Sequence, residues 1–236
     1  DLGGLMVKVG QFLSARLDVL PEEITKELSG LQDEVAPEPF ERILKVIGAE
    51  LGMSADTAFA EIDAEPIAAA SLGQAYRAKI SNGLSEDLGY SDVVIKVLRP
   101  DIEAIVDVDL AALTKVGGWL SKVKLVSKRT DAPALVEEFA EITLQEINYL
   151  KEAENLERFA ADFQNDLRIK TPSVVWERSA RRVLTLTDVS AIKISDVDAL
   201  IEAGIDTNAV AAELARATFE QFFVTGFFHA DPHPGN

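Results

Sequence analysis

The chain has 236 residues, 23 Lys and Arg against 40 Asp and Glu, a net charge of −17 and no Cys. That balance argues against nucleic acid as a partner and against broad adsorption to anionic lipid, leaving only a local lipid contact open, while the lack of Cys excludes disulfides and thiolate metal sites and suits a reducing interior. The length suffices for a substantial core, and no apolar run reaches the roughly 18 residues that a membrane-spanning helix needs.

At the N-terminal end, Leu5, Val9, Phe12, Leu13 and Leu17 recur at helical spacing and predict an amphipathic helix, on which Lys8 and Gln11 share one face. Between Pro66 and Ile80, the small residues Ala68, Ala69, Ala70 and Ser71 join two strand-like pieces. Such a run lets the backbone approach a phosphate, although Ala is more restricted in φ than Gly, and read alone it signifies close packing. Val93 to Val97 is a β-branched strand carrying one charge, Lys96, which is either an edge residue in solvent or an inward cation that needs a partner.

Pro100 to Glu103 opens a helix expected to reach residue 128, where Lys122, Lys124 and Lys128 complement its dipole and Gly117-Gly118 marks a place to break. Residues 131–165 predict one long helix with Leu135, Phe139, Ile142, Ile147, Leu150, Leu156 and Phe159 at helical period. On that helix Asn148 and Glu152 share a face and Glu146 points elsewhere, so Glu152 is the expected partner of Lys96. Pro172 to Trp176 and Arg182 to Thr187 read as strands. Residues 207–225 read as an amphipathic helix with Val210, Leu214, Ala217, Phe222 and Val224 toward its buried side, a core-packing face rather than a lipid contact.

The last eight residues, His229-Ala230-Asp231-Pro232-His233-Pro234-Gly235-Asn236, place an Asp behind a His and an Asn five residues after the Asp. A protein-kinase catalytic loop has that spacing: there the Asp orients and deprotonates the attacking hydroxyl and the Asn holds a metal on the nucleotide phosphates. Asp231 would take the first role and Asn236 the second. A metal-dependent hydrolase built on His229, Asp231 and His233 competes with this reading. Against it, Pro232 and Pro234 disfavour the strand that would align them, and no Cys or third His supplies a further ligand. A plain Pro/Gly turn is the third reading.

These pieces together resemble the UbiB/ADCK (AarF-type) family of atypical kinase-like proteins. The resemblance rests on Lys8-Val9-Gly10-Gln11, matching the family's Lys-x-Gly-Gln signature, on Leu17-Asp18-Val19-Leu20-Pro21 and Leu31-Gln32-Asp33, on the Ala-rich run from Ala68 to Gln74, on the lysine strand and on the terminal octet, in that order along nearly the whole chain. It implies an α+β, protein-kinase-like fold of two lobes, with a small antiparallel-sheet N-lobe, a mostly helical and truncated C-lobe, and an added N-terminal helical segment. The corresponding division is 1–65, the extension; 66–189, the N-lobe with a helical insertion; and 190–236, the start of the C-lobe.

The resemblance also implies Mg-ATP or Mg-ADP as cofactor. Ala68, Ala69, Ala70, Ser71, Lys96, Glu152, Thr187 and Val189 would lie at the nucleotide, and Lys96, Asp231 and Asn236 would be catalytic, Asn236 as metal ligand. Lys8 and Gln11 would lean over the site, with Lys8 paired to Glu146. Members look like kinases or ATPases that support prenyl-quinone or other lipid handling in bacteria, mitochondria and plastids, so a lipid or prenyl-quinone precursor and peripheral membrane association are implied partners. Asn148 stands where the family usually has Asp, which removes a charge. The metal-binding Asp-Phe-Gly expected after Asn236 is absent, so full competence is not expected of the chain as given. A nucleotide-binding scaffold with little turnover is the alternative.

Overall fold

Three strands whose alternate residues are apolar pair into an antiparallel sheet, since a period of two puts those residues on one face. The structure, a computed structural model, describes residues 4–14, 35–122 and 130–230. Those three strands, β3 (Gly73–Ile80), β4 (Asp92–Leu98) and β5 (Val183–Thr187), are joined by β1 (Phe59–Ile62) and β2 (Ala68–Ala69) in a five-stranded sheet ordered β1-β3-β4-β5, with β2 pairing the start of β3. In β4 the register sets Lys96 between Ala75 of β3 and Leu184 of β5.

Helices cover both faces of the sheet. One face buries Tyr76, Ala78, Ile80, Val93, Ile95, Val97 and Val183 against Ile43, Val46 and Ile47. Those three recur at helical spacing on α2 (Phe40–Leu51), the next helix among the described residues after α1 (Gly4–Ser14). The other face buries Leu98 and Leu184 with Leu5 of α1, Ile102 and Val106 of a longer helix, and Phe139, Ile147, Tyr149 and Ala153. Two short helices flank the sheet's first strands, α3 (Ala55–Ala58) just before β1 and α4 (Asn82–Leu88) between β3 and β4. The long helix is α5 (Ile102–Leu120), and the next are α6 (Ala132–Glu146), capped by the Asp131 carboxylate, and α7 (Tyr149–Asp162).

The chain divides into two compact units, 1–154 with 174–187 and 155–173 with 188–236. The first takes in both α1 and the sheet. The second contains α8 (Val197–Glu202), α9 (Thr207–Glu220) and a π-helical turn, Gln221–Thr225. Asp196 and Asp206 cap α8 and α9 by accepting from backbone N–H groups of Ala199 and of Asn208 and Ala209. A cluster of Asp166, Arg168, Glu213, Arg216 and Glu220 fastens α9 to residues 166–168.

Four local expectations are corrected. The helix expected over 131–165 is interrupted at Ile147-Asn148, where Ile147 N–H and Asn148 N–H close the end of α6 and the Asn148 carbonyl accepts from Lys151 N–H to open α7. Asn148 and Glu152 therefore do not share a continuous helical face. The strand expected at 172–176 reduces to a single bridge between Val174 and Leu186, and the chain then turns through a 3₁₀ segment, Trp176–Arg178.

Gly117-Gly118 does not break α5, which runs through to Leu120. A Cβ at Gly117 would sit 3.0 Å from Val136 Cγ2 and 3.4 Å from the Ala132 carbonyl, so the glycine serves the close approach of α6. Finally, Leu214 is 55% exposed, Phe222 49% and Val224 76%, whereas Ala217 is buried. The short α8 and the polar cluster at 166–168 lie beside α9, and neither covers these side chains.

Candidate functional site

Strand alternation sends Val93, Ile95 and Val97 into one core and turns Lys96 to the opposite face, toward α7. There Lys96 Nζ donates to Glu152 Oε1 and lies 5.2 Å from the centre of the Tyr149 ring. The small Ala75 beside it in the register leaves room for the long side chain. Side-chain exposures of 34% for Lys96 and 42% for Glu152 keep water at the pair. A pair so exposed contributes at most about 1 kcal/mol to stability, since solvent screens it. The ammonium is thus presented on a surface rather than sealed in a core.

The break in the long helix builds the floor of this site. Tyr149, the first residue of α7, anchors there through its N–H to the Arg181 carbonyl at 2.9 Å. Its ring is buried, and burial first, with the charges of Glu152 and then Glu146 added, pushes its hydroxyl well above the ordinary tyrosine range. Glu146, at the end of α6, forms an ion pair with Lys8 of α1. Two ion pairs, Lys96–Glu152 and Lys8–Glu146, therefore flank one neutral phenol. Gln11 sits half-buried in α1, one turn beyond Lys8. The amide oxygen of Asn148, between the two carboxylates in sequence, is buried with no hydrogen-bond partner among the described residues.

The alanine run forms the β2–β3 hairpin. Ala68 and Ala69 pair with Ala75 and Gln74, and the N–H of Ala70 donates to the Gly73 carbonyl at 2.9 Å. Ser71 is buried in the turn. Gly73 is sterically required: a Cβ there would collide with the Tyr149 hydroxyl and stand 2.9 Å from the Val97 carbonyl oxygen. The hairpin thus rests directly on the residue following Lys96 and on the floor tyrosine.

A buried guanidinium fastens the hairpin to residues 36–38. Arg99 Nε donates to the Ala70 carbonyl at 2.9 Å, Nη2 to the Ala36 carbonyl at 2.9 Å and Nη1 to Glu38 Oε1 at 3.3 Å. Gln74, also buried, donates from Nε2 to the Tyr76 hydroxyl and accepts from Glu38 N–H, each at 2.6 Å. Tyr149, Gly73, Arg99, Gln74 and Glu38 were not among the expected site residues. Their available signals were slight: a glycine inside an alanine run, and polar residues at positions where the strand pattern demands burial.

Thr187 ends β5 at the last residue of the first unit, and Val189 lies just inside the second. In the second unit, Gln221 is buried, donates to the Ala217 carbonyl at 3.2 Å, and accepts the N–H of His229 at 2.8 Å. The π turn thereby fixes the entry to the terminal octet; such turns recur at functional sites. Asp231, His233 and Asn236 lie outside the described residues, as does Leu17. Among the described residues no group of three His, Cys, Asp or Glu side chains could hold a metal ion, and no helix is long and apolar enough to cross a membrane.

Residues 30–236 match the family model of the ABC1 atypical kinase-like domain. The chain is 41% identical over 237 residues to "Protein ACTIVITY OF BC1 COMPLEX KINASE 8, chloroplastic" of Arabidopsis thaliana, covering 100% of this chain and 30% of that protein. It is 33% identical over 236 residues to "Probable protein kinase UbiB" of Azotobacter vinelandii, covering 100% of this chain and 43% of that protein. Among solved structures, the complex of Rv3197 with erythromycin from Mycobacterium tuberculosis matches with a TM-score of 0.69 and 27% identity over 99% of this chain and 56% of that one. The chain thus spans between about a third and a half of the length of these proteins. The small antiparallel sheet, its helical cover and this structural likeness give an α+β kinase-like fold. With its lysine strand, alanine hairpin and paired helix carboxylate in that setting, the chain belongs to the ABC1 atypical kinase-like family, the one that includes UbiB.

Proposed function

We propose that the protein binds Mg-ATP or Mg-ADP at the alanine hairpin and acts as an atypical kinase or ATPase. The observation that carries this reading is the half-exposed Lys96, held by Glu152 over Tyr149 beside a hairpin of small residues. A cation on a strand, steadied by a carboxylate and open to water, suits exchange of that carboxylate for phosphate oxygens. Nucleotide fits these residues. Magnesium usually takes one or two protein ligands and fills its shell with phosphates and water, so it needs no dedicated cage of carboxylates.

When bound, Mg-ATP would supply the phosphoryl group. Lys96 would hold its phosphates, Ala68 to Ser71 would cover them, and the backbone at Thr187 to Val189 would face the base. Asp231 would orient and take the proton of the attacking hydroxyl or water, and Asn236 would hold the metal. The acceptor we propose is a lipid or prenyl-quinone precursor, met through peripheral association with a membrane, in a plastid or bacterial compartment. A regulatory scaffold with little turnover is the second reading. The Lys8–Glu146 tie, which holds α1 beside the floor tyrosine, and the uncharged Asn148 favour it.

Thermal unfolding of the full-length protein with and without Mg-ATP, followed by phosphate release, separates the readings. A nucleotide-dependent rise lost in Lys96→Ala, with release lost in Asp231→Asn, supports the enzyme. A rise with no release supports the scaffold, and no rise at all refutes both.

A further inference from the structure

A loop that accepts phosphate must turn its N–H groups toward the anion and its carbonyls away, because each carbonyl oxygen would repel it. In the β2–β3 hairpin the carbonyls of Ala69, Ala70, Leu72 and Gly73 are all engaged by donors of the protein. Val35 N–H takes Ala69 at 3.2 Å, Arg99 Nε takes Ala70 at 2.9 Å, Arg99 N–H takes Leu72 at 2.9 Å and Ala70 N–H takes Gly73 at 2.9 Å. One residue, Arg99, accounts for two of the four.

Its guanidinium is buried, with a side-chain exposure of 10%, and it also spans to the Ala36 carbonyl and to Glu38. A buried guanidinium satisfied by two carbonyls and one carboxylate is a fixed clamp, since its planar fork holds three acceptors in one geometry. Gln74 joins the same clamp through Glu38 N–H.

We infer that Arg99 is a positioning residue that sets the polarity of the alanine hairpin: by drawing the Ala70 carbonyl inward it keeps the turn receptive to phosphate. This rests on the nucleotide reading above and adds a residue that touches no nucleotide. Arg99 acts on the phosphate-bearing part of the ligand and leaves the adenosine part alone. A residue that merely stabilised the lobe would weaken both alike.

The test is equilibrium binding of Mg-ATP and of adenosine to the full-length protein and its Arg99→Ala and Arg99→Lys variants, with Arg42→Ala as control. Arg42 also bonds Glu38 but reaches no hairpin carbonyl. In Arg99→Ala, Mg-ATP affinity should fall about tenfold, the scale of one lost charge-assisted hydrogen bond, while adenosine stays within about twofold. Should Arg99→Ala fail to fold, Arg99→Lys carries the test, because one ammonium cannot hold Ala70 and Ala36 together; a selective loss of several-fold is expected. Arg42→Ala should bind both ligands as wild type does. Unchanged Mg-ATP binding in the Arg99 variants, or equal loss of Mg-ATP and adenosine, overturns the inference while leaving the nucleotide reading intact. A wild-type protein that binds neither ligand overturns the nucleotide reading itself.

Discussion

Replacing Gly73 by Ala probes how tightly the hairpin is seated. The backbone at Gly73 lies outside the left-handed region, so alanine is conformationally allowed there and only space decides the outcome. The new methyl would stand 2.9 Å from the Val97 carbonyl oxygen and collide with the Tyr149 hydroxyl. The first neighbour is backbone of a central strand and the second is a buried ring, so neither yields cheaply. Overpacking of this kind costs about 1–3 kcal/mol, offset by about 0.4–1 kcal/mol from the stiffer unfolded chain. A net loss of roughly 1–2 kcal/mol lowers Tm by about 2–8 °C in a chain of this size. Thermal unfolding of Gly73→Ala, Tyr149→Phe and the double variant measures it. Removing the hydroxyl should recover about 1 kcal/mol in the Gly73→Ala background, a non-additive cycle. An additive cycle, or a Gly73→Ala protein as stable as wild type, would refute the close seating of the hairpin on Tyr149.

Other perturbations follow from the same geometry. Lys8→Glu should destabilise the protein by about 1 kcal/mol through like-charge repulsion at Glu146, and adding Glu146→Lys should restore most of the loss in urea unfolding. The Asp166 carboxyl is held down to about 2, chiefly by its hydrogen bond from Arg168. Its folded value is depressed, so its contribution is present above pH about 4 and is lost as pH falls toward 2; the stability gap between wild type and Asp166→Asn should close over that interval. All three tyrosines, Tyr76, Tyr90 and Tyr149, are raised by burial, Tyr149 most. Ultraviolet titration of the native protein should therefore show phenolate appearing above the ordinary value of about 10, and unfolding at that pH should release it at once.

Much of the sheet and the place of Lys96 on it could be read from local pattern, because strand alternation and one lone lysine are signals that a short window contains. Glu152 does pair with Lys96 across 56 residues, although the helical face shared with Asn148 that pointed to it is broken. The interruption at Ile147-Asn148 was not legible in that way, since apolar period continues smoothly across it and only the docking of Tyr149 N–H on the Arg181 carbonyl, a contact distant in sequence, ends one helix and starts the next. The reduced strand at 172–176 has the same origin: its β-branched residues satisfy the propensity, but its pairing with β5 is confined to the bridge of Val174 with Leu186 and the Val175 N–H on the Thr185 carbonyl. Arg99 is the clearest omission. A lone arginine before a proline reads as a surface residue, and its role depends on Ala36, Glu38 and Ala70, which tertiary structure alone assembles. The exposed stripe of α9 shows the converse, a helical period whose apolar residues Leu214, Phe222 and Val224 stay largely uncovered.

The proposal that Lys96 and Glu152 present a cation to a nucleotide phosphate is tested most directly by calorimetric titration of Mg-ATP into the full-length protein, its Lys96→Ala variant and its Glu152→Gln variant. Wild type should bind saturably and Lys96→Ala should lose at least about tenfold, with a smaller loss in Glu152→Gln, while the unfolding temperatures stay within a few degrees because the exposed pair contributes little to stability. Binding to Lys96→Ala as tight as to wild type would contradict it.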